Sequence, residues 1–555
     1  MKKKKGVLFI LVFAALAAAV FAAAELVKRM PSLKKADFFA YYGLEPSRAY
    51  IILDGRAVKD GEPPLFRGGE LYLPSDFIKE YFDEYIFAEP DYNLLTVTTA
   101  GSVRKFSAGG PEGVINENGV MYVPESLAES LYPLRARYAG GAGAGGLVVA
   151  DTLTEPQNRA VIMRKQVNLR AEPSEKSPII QKLSQNEEVR VYSSGKYLRI
   201  RTEQGILGYV TAASAEARPG EPPVKPVSDA VPFKALDGKA VMLWDQVTTA
   251  AANSAPDRKV KPAPVNVLSP TWFSFAESMD GGITSLADRG YVENAHSQSA
   301  LVWALVSDNF DSAVGREILT DPAKRGKAVD ALLNLCAEYG LDGINIDFEQ
   351  IKEDTAPAYI EFLRELAPPL HKAGKSLSVD MFVPKFTKYY NRAAVGETAD
   401  FICVMAYDEF WGPASGAGPV ASAPFVREGV EQTLEEVPAE KVILGIPFYS
   451  RLWRELPDGT VEVAGAYGME TAAAIPAKNG ARTFYYDDEG TNYAEYVKNE
   501  NGRDATYKIW IEDERTLAVK LGVYKENGLA GVSFWKRGLE DPEVWALIGR
   551  EAGRQ

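Results

Sequence analysis

The sequence predicts a multidomain protein: a C-terminal α/β barrel of eight parallel strands, preceded by a small all-β barrel and an N-terminal α+β module. Three observations carry that expectation. Strand-like runs recur eight times between residues 240 and 535, with amphipathic helical stretches between several of them. A repeat with a spacing of fifty positions marks residues 36–155, and short β-runs separated by turn signals fill residues 160–214. At 555 residues the chain is also too long for a single core.

The chain opens on Lys2 to Lys5 and continues as an unbroken apolar run from Val7 to Ala24. A positive start before a membrane-seeking helix is the arrangement of an export signal. The run is about long enough to span a bilayer, which takes roughly 17–25 residues, and is longer than a usual cleaved apolar stretch. Residues 1–30 are therefore expected to anchor the protein in the membrane, with cleavage after Ala22-Ala23-Ala24 as the alternative. In both cases the rest of the chain is expected to be extracytoplasmic, held at the membrane or else secreted or in the cell wall.

In the repeat, Gly69-Glu70-Leu71-Tyr72-Leu73-Pro74-Ser75-Asp76-Phe77 corresponds to Gly119-Val120-Met121-Tyr122-Val123-Pro124-Glu125-Ser126-Leu127. Each copy reads as a short strand, a proline that stops it and a capped amphipathic helix. The module, residues 36–155, resembles the copper amine oxidase N-terminal-like family. It contains no His, so the resemblance implies no copper site, and a spacer or stalk fits better than ligand binding because no chemical cluster appears. Gly140 to Gly146 form a Gly/Ala-rich loop inside the module or at its end.

Val167-Asn168-Leu169-Arg170-Ala171-Glu172-Pro173 and Gly205-Ile206-Leu207-Gly208-Tyr209-Val210 resemble the opening and closing motifs of a bacterial SH3-like domain, residues 160–214. The resemblance implies wall peptides or glycans as ligands. Tyr209 stands where the closing Trp is expected, so structural filler remains an open alternative. Pro219, Pro222, Pro223, Pro226 and Pro232 then mark a stiff linker, residues 215–235.

The barrel, residues 236–555, is expected to use Ala240–Trp244, Val265–Ser269, Leu301–Val306, Gly343–Phe348, Leu377–Phe382, Phe401–Ala406, Val442–Pro447 and Gly531–Trp535 as strands. Helical stretches such as Gly326–Tyr339 and Ala358–Ala373 lie between them, as barrel closure requires.

Hydrophobic content of 46% and charged content of 25% describe an ordinary globular protein. A net charge of −13 argues against nucleic acid as partner, since a phosphate-binding surface should be basic. Cys336 and Cys403 sit in apolar stretches, which predicts buried thiols, with neither disulfide nor metal site. With only His296 and His371, a His-based triad or zinc site is not expected, and no cofactor is implied.

The run Leu341-Asp342-Gly343-Ile344-Asn345-Ile346-Asp347-Phe348-Glu349-Gln350 says most about function. Its alternation is that of a strand, so Asn345, Asp347 and Glu349 project from one face and Ile344, Ile346 and Phe348 from the other. A charged solvent face is the bland alternative. Asp342 has the opposite parity and lies at the strand's start, so it stays outside the site. Catalytic groups of such barrels sit at the C-terminal ends of strands, where Asp347 and Glu349 fall. Residues i and i+2 are roughly 6.6 Å apart along a strand and point the same way. Two acids on one wall cannot easily flank a scissile bond, as a conventional pair of glycosidase carboxylates does.

The run closely resembles the Asp-x-x-Asp-x-Asp-x-Glu signature of glycoside hydrolase family 18, the chitinase-like enzymes, with Asn345 in place of the middle Asp. That Asn is similar to the form in the spore-cortex and cell-wall N-acetylglucosaminidase branch. The resemblance covers roughly residues 236–548, a size that suits a (β/α)8 barrel. Met405-Ala406-Tyr407-Asp408 resembles the family's Met-x-Tyr-Asp motif. Gly445-Ile446-Pro447-Phe448-Tyr449-Ser450-Arg451-Leu452-Trp453 resembles its seventh-strand signature, and Trp535 matches the Trp under the sugar ring.

The resemblance implies substrate-assisted hydrolysis with retention at a β-linked N-acetylglucosamine, in peptidoglycan or a chitin-like glycan. Glu349 is then the general acid and base. Asp347 holds the acetamido N–H, and its charge raises the Glu349 pKa. Asn345 orients Asp347, and Tyr407 contacts the acetamido group. Asp408, Tyr449, Arg451 and Trp535 bind sugar, with Trp272 and Trp411 as further candidates for outer subsite walls. The expected partners are a cell-wall glycan and, through the N-terminal segment, the membrane, with the chain acting as a monomer. The reading from another class is a catalytically silent chitinase-like glycan-binding protein of the envelope. Retention of Glu349 separates the two.

Overall fold

The computed structural model describes residues 2–140, 145–225, 228–500 and 502–554, and their side chains except those of 2–11 and Arg29. Residues 141–144 of the Gly/Ala-rich loop, Pro226 of the linker and the basic side chains Lys2 to Lys5 lie outside the described part. The chain divides into two compact units, residues 1–97 with 104–227, and residues 98–103 with 228–555.

In the first unit, Lys2–Arg29 form one helix. Val12, Phe13, Leu16, Val20 and Phe21 on it are exposed. Among the described residues no helix is long and apolar enough to cross a membrane. The repeat forms two strand–helix units, Glu70–Pro74 with Ser75–Tyr81 and Val120–Pro124 with Glu125–Leu131. Their strands pair antiparallel around Leu73 and Val123. The helices lack the side-chain caps expected from the sequence, because Pro74 and Pro124 occupy the N-cap positions and offer no accepting side chain. Burial of Phe77, Ile78, Leu127 and Ala128 holds them instead.

A four-stranded sheet joins Leu134–Gly140, Leu147–Thr152, Tyr50–Leu53 and Arg56–Val58. Its alternation divides two cores. Ile51, Val148 and Ala150 face the repeat. Tyr50, Ile52, Leu147 and Val149 face Ile162, Leu169 and Ile200 of the all-β part. The modules that the sequence separates near residue 155 therefore share one sheet, and a one-residue register slip there would disrupt both cores. The all-β part is a seven-stranded sheet with Ala215–Glu221 at its edge, paired with Gln157–Ile162. The stretch expected to begin the stiff linker is thus a strand at first. Pro219 is tolerated because an edge strand can leave one side without donors.

In the second unit, the barrel strands are β1 (Ala240–Asp245), β2 (Val267–Phe275), β3 (Leu301–Ser307), β4 (Gly343–Asp347), β5 (Ser376–Phe382), β6 (Phe401–Met405), β7 (Val442–Pro447) and β8 (Gly531–Trp535). All eight run parallel, and β1 pairs with both β2 and β8, which closes the barrel. Every residue of β4 is buried, so a charged solvent face is excluded. Ile344, Ile346 and Phe348 point outward to the helix Ala356–Lys372, where Phe348 stacks on Phe362 at 5.7 Å. Each such side chain contributes about 1.5–3 kcal/mol by leaving water. Arg325 on the neighbouring helix Pro322–Tyr339 pairs with Glu365 at 3.0 Å and fixes the two helices behind β4.

After β7 an insertion departs from the barrel. Its five-stranded antiparallel sheet, starting with Tyr449–Glu455, carries the helix Met469–Lys478. The segment read as a seventh-strand signature is therefore split. Val442–Pro447 belongs to the barrel and Tyr449–Glu455 to the insertion.

Candidate active site

The inner face of β4 carries Asn345 and Asp347 into a polar cluster at the C-terminal half of the barrel. Asn345 accepts from Trp244 Nε1 of β1 at 3.1 Å and from Ser269 Oγ of β2 at 3.0 Å. Its own amide donates to Asp380 Oδ1 of β5 at 2.8 Å. The amide expected to orient Asp347 is thus committed to Asp380. Asp347 is 4% exposed, and its Oδ1 has no hydrogen-bond partner. A buried, unpartnered carboxyl oxygen is costly unless the group is neutral or a ligand completes it.

Strand β4 stops at Asp347, and Glu349 follows on irregular backbone. The reason is Asp308, just past β3: its carboxylate accepts from the backbone N–H of Gln350 at 3.2 Å and of Phe310 at 3.1 Å. It takes the place of a neighbouring strand and fixes the turn that presents Glu349. Asn309 and Phe310 adopt φ of 59° and 55°, a left-handed conformation unusual for non-glycine residues and common at functional sites.

Four carboxyl groups therefore converge. Burial raises the pKa of Asp347 well above the carboxylate range, helped by Asp380, Glu349 and Asp308. Glu349 is pushed up to about 7, chiefly by burial and then by Asp308 and Asp408. The direction agrees with the sequence reading, but the cause differs. Asp347 was expected to supply the repelling charge, and instead it is the group held most strongly neutral. Asp308 rises to about 6 by burial, opposed by the backbone N–H groups that it accepts.

Tyr407, just past β6, is buried with its ring edge-on to Trp244 at 6.4 Å. Asp408 has a φ of 58° and accepts from Arg451 Nη2 at 2.7 Å and from the Tyr449 hydroxyl. The first strand of the insertion thus reaches back to the barrel rim, which brings Tyr449 and Arg451 into the site although they lie outside β7. Trp535 ends β8, half-buried, 6.0 Å from Trp244. Trp411 is exposed. Trp272 is a correction: it is 2% exposed, and its indole N–H donates to Asn253 at 2.8 Å, so it belongs to the packing behind β2. Asp342 is at the opposite end of the barrel, bonded to His296 and to the Val302 N–H, as its parity requires.

Both cysteines are buried thiols, and among the described residues no group of His, Cys, Asp and Glu could hold a metal ion. Sequence reasoning missed Trp244, Asp308 and Asp380. A signal existed for Asp380: an acid inside the apolar run Val379-Asp380-Met381 of a strand buried on both faces needs an explanation.

Residues 302–540 match the family model of glycosyl hydrolases family 18, and residues 165–215 match the bacterial SH3 domain. The cortical fragment-lytic enzyme of Bacillus subtilis is 28% identical over 290 residues, which cover 50% of this chain and 66% of that protein. The chain therefore spans slightly under two thirds of that relative's length. The crystal structure of the Bacillus cereus spore cortex-lytic enzyme SleL aligns with a TM-score of 0.51 at 22% identity, covering 59% of this chain and 78% of that one. The C-terminal domain of a putative chitinase from Desulfitobacterium hafniense aligns with a TM-score of 0.51 at 22% identity, over 57% of this chain and all of that one. These two likenesses establish the barrel fold.

Proposed function

The barrel is a glycosyl hydrolase family 18 domain behind a bacterial SH3 domain, and from that premise we propose that this chain hydrolyses β-linked N-acetylglucosamine in cell-wall glycan with retention of configuration. The observation that carries the reading is the pairing of one accessible acid with a pKa near neutrality, Glu349, with a buried neutral acid, Asp347, on the same wall. The other acids of the cluster are occupied. Asp380 accepts from Asn345 and Trp244, Asp308 from backbone, and Asp408 from Arg451 and Tyr449. None is free to attack the anomeric carbon, so the nucleophile comes from the substrate.

In the proposed cycle the carbonyl oxygen of the 2-acetamido group attacks the anomeric carbon while Glu349 protonates the leaving oxygen. An oxazolinium ion results. The proton carried by Asp347 passes to Glu349 as the sugar binds and is the one given to the leaving oxygen, so Glu349 is left as a carboxylate, and the Asp347 carboxylate accepts the acetamido N–H, which supplies the partner that its Oδ1 lacks. In the second half, Glu349 takes a proton from water, and the water oxygen displaces the acetamido oxygen from the same face that the leaving group left. In this reading Tyr407 donates to the acetamido oxygen. Asp408, Arg451, Tyr449 and Trp535 hold the sugar, the last through its ring face.

The name of the Bacillus subtilis relative, a cortical fragment-lytic enzyme, supports peptidoglycan over chitin as the substrate. The SH3 domain is consistent with docking on the wall, and the exposed apolar residues of the N-terminal helix are consistent with an export signal or anchor. All proposed residues come from the barrel and the insertion after β7, so a single chain suffices.

The test is incubation of the full chain with purified peptidoglycan and with chitin oligosaccharides, with fragments identified by mass spectrometry and the early anomer by NMR. We expect reducing N-acetylglucosamine ends formed first as the β-anomer. A first-formed α-anomer would mean direct attack by water and would overturn the acetamido mechanism.

A further inference from the structure

We propose that Asp380 is a positioning residue that holds Asp347 in its proton-carrying form before substrate binds, a task placed on β5 because the inward position of β4 beneath Asp347 is an amide. This rests on the assignment of Asp347 and Glu349 as the reacting pair. The polarity of the network carries it. Asp380 Oδ1 accepts the Asn345 amide at 2.8 Å, and Oδ2 accepts the Trp244 indole N–H at 3.1 Å. Asn345 Oδ1, the acceptor beside it, already takes the Ser269 hydroxyl and the same indole N–H. A carboxylate is satisfied at both Asp380 oxygens, whereas a proton there would have to displace one of these donors. Burial raises the Asp380 pKa to about 7 against the donors that lower it, and burial raises Asp347, which has no donor, as well; Asp380 is the member of the pair that ionises first.

The barrel register brings that charge to Asp347. Asn345 is opposite Ser378 and Ile346 opposite Val379, so the next step sets Asp347 beside Asp380 on adjacent parallel strands, roughly 4.8 Å apart. Both side chains point inward. Two buried acids this close cannot both ionise, and the one without donors, Asp347, keeps the proton.

The groups acting on Asp347 are Asp380 from β5, Glu349 beyond β4 and Asp308 beyond β3, none of them a cation. Tyr407 beyond β6 and Tyr359 on the helix behind β4 are kept neutral by burial. The Cys403 thiol of β6 lies 4.0 Å from Met242 Sδ and is kept neutral by burial. Removing the Asp380 charge therefore lowers the Asp347 pKa, and Asp347 loses its proton at lower pH.

The test compares the full chain with D380N and with the exchange N345D/D380N, which moves the carboxylate to β4 and the amide to β5. Aspartate 13C-carboxyl NMR reads the Asp347 titration, assigned through D347N. In D380N we expect the Asp347 titration to move to lower pH by about one unit or more, with recovery in the exchange variant. An unshifted Asp347 titration in folded D380N, or a folded exchange variant that fails to recover, would overturn the proposal. Should D380N not fold, W244F removes one donor from Asp380 and is expected to shift the Asp347 titration the same way by less, and no shift there would overturn the proposal equally. The NMR titration needs no turnover, so an inactive wild type with the expected shift would sink the glycosidase reading and leave this coupling standing.

Discussion

Replacing Glu349 by Gln should lower kcat on cell-wall glycan by roughly 10²–10⁴-fold, the usual worth of general acid–base catalysis. The amide is nearly isosteric and keeps the hydrogen-bonding shape of the protonated acid, so fold and glycan affinity should hold. It can neither give a proton to the leaving oxygen nor take one from water. The wild-type profile gives the same assignment a second test. Glu349 must be protonated to act as an acid, and its pKa is raised to about 7 by burial, Asp308 and Asp408. Protonation is complete below that value and is lost as pH rises through it, so the rate should fall on the alkaline side near pH 7. Turnover by E349Q at the wild-type rate, measured as reducing ends released, would remove Glu349 from the mechanism.

Asp347→Asn should cost kcat roughly 10²–10³-fold, the scale of losing one electrostatic stabiliser of a transition state. The amide imitates the resting, neutral Asp347, so ground-state binding and stability should change little. The loss arises when the acetamido group becomes positively charged and an anion is needed beside it. A KM close to wild type with a collapsed kcat is the expected signature. A variant that loses binding and retains kcat would place Asp347 in substrate affinity alone.

The strands were readable because each barrel strand is a short apolar run bounded by turn or helix signals, and the motif was readable because Asn345, Asp347 and Glu349 interrupt such a run with period two. What the sequence concealed is pairing between distant positions. Asp380 and Asp308 are single acids on separate strands, and only parallel pairing of β3 and β5 with β4 sets them beside it. The destination of the Asn345 amide was misread for the same reason: its nearest polar neighbour along the chain is Asp347, and its partner lies on the neighbouring strand, 35 residues away in sequence. Trp272 failed as a subsite candidate because its position on β2 directs it outward, a parity that proximity to a strand end does not reveal. In the first unit the alternation of Tyr50, Ile51 and Ile52 made a strand legible, but not that each face of its sheet would serve a different core.

The central claim, that the substrate supplies its own nucleophile, is tested most directly by comparing hydrolysis of one glycan with and without the N-acetyl group on the cleaved sugar. The acetylated chain should be cut, and the de-N-acetylated chain should bind weakly and resist cleavage, because no carboxylate in the site is free to attack in its place. A thiazoline mimic of the cyclic intermediate should inhibit the first reaction tightly, as a transition-state-like ligand does. Equal rates on the two glycans, with no effect of the thiazoline, would contradict the account and require a protein carboxylate as nucleophile.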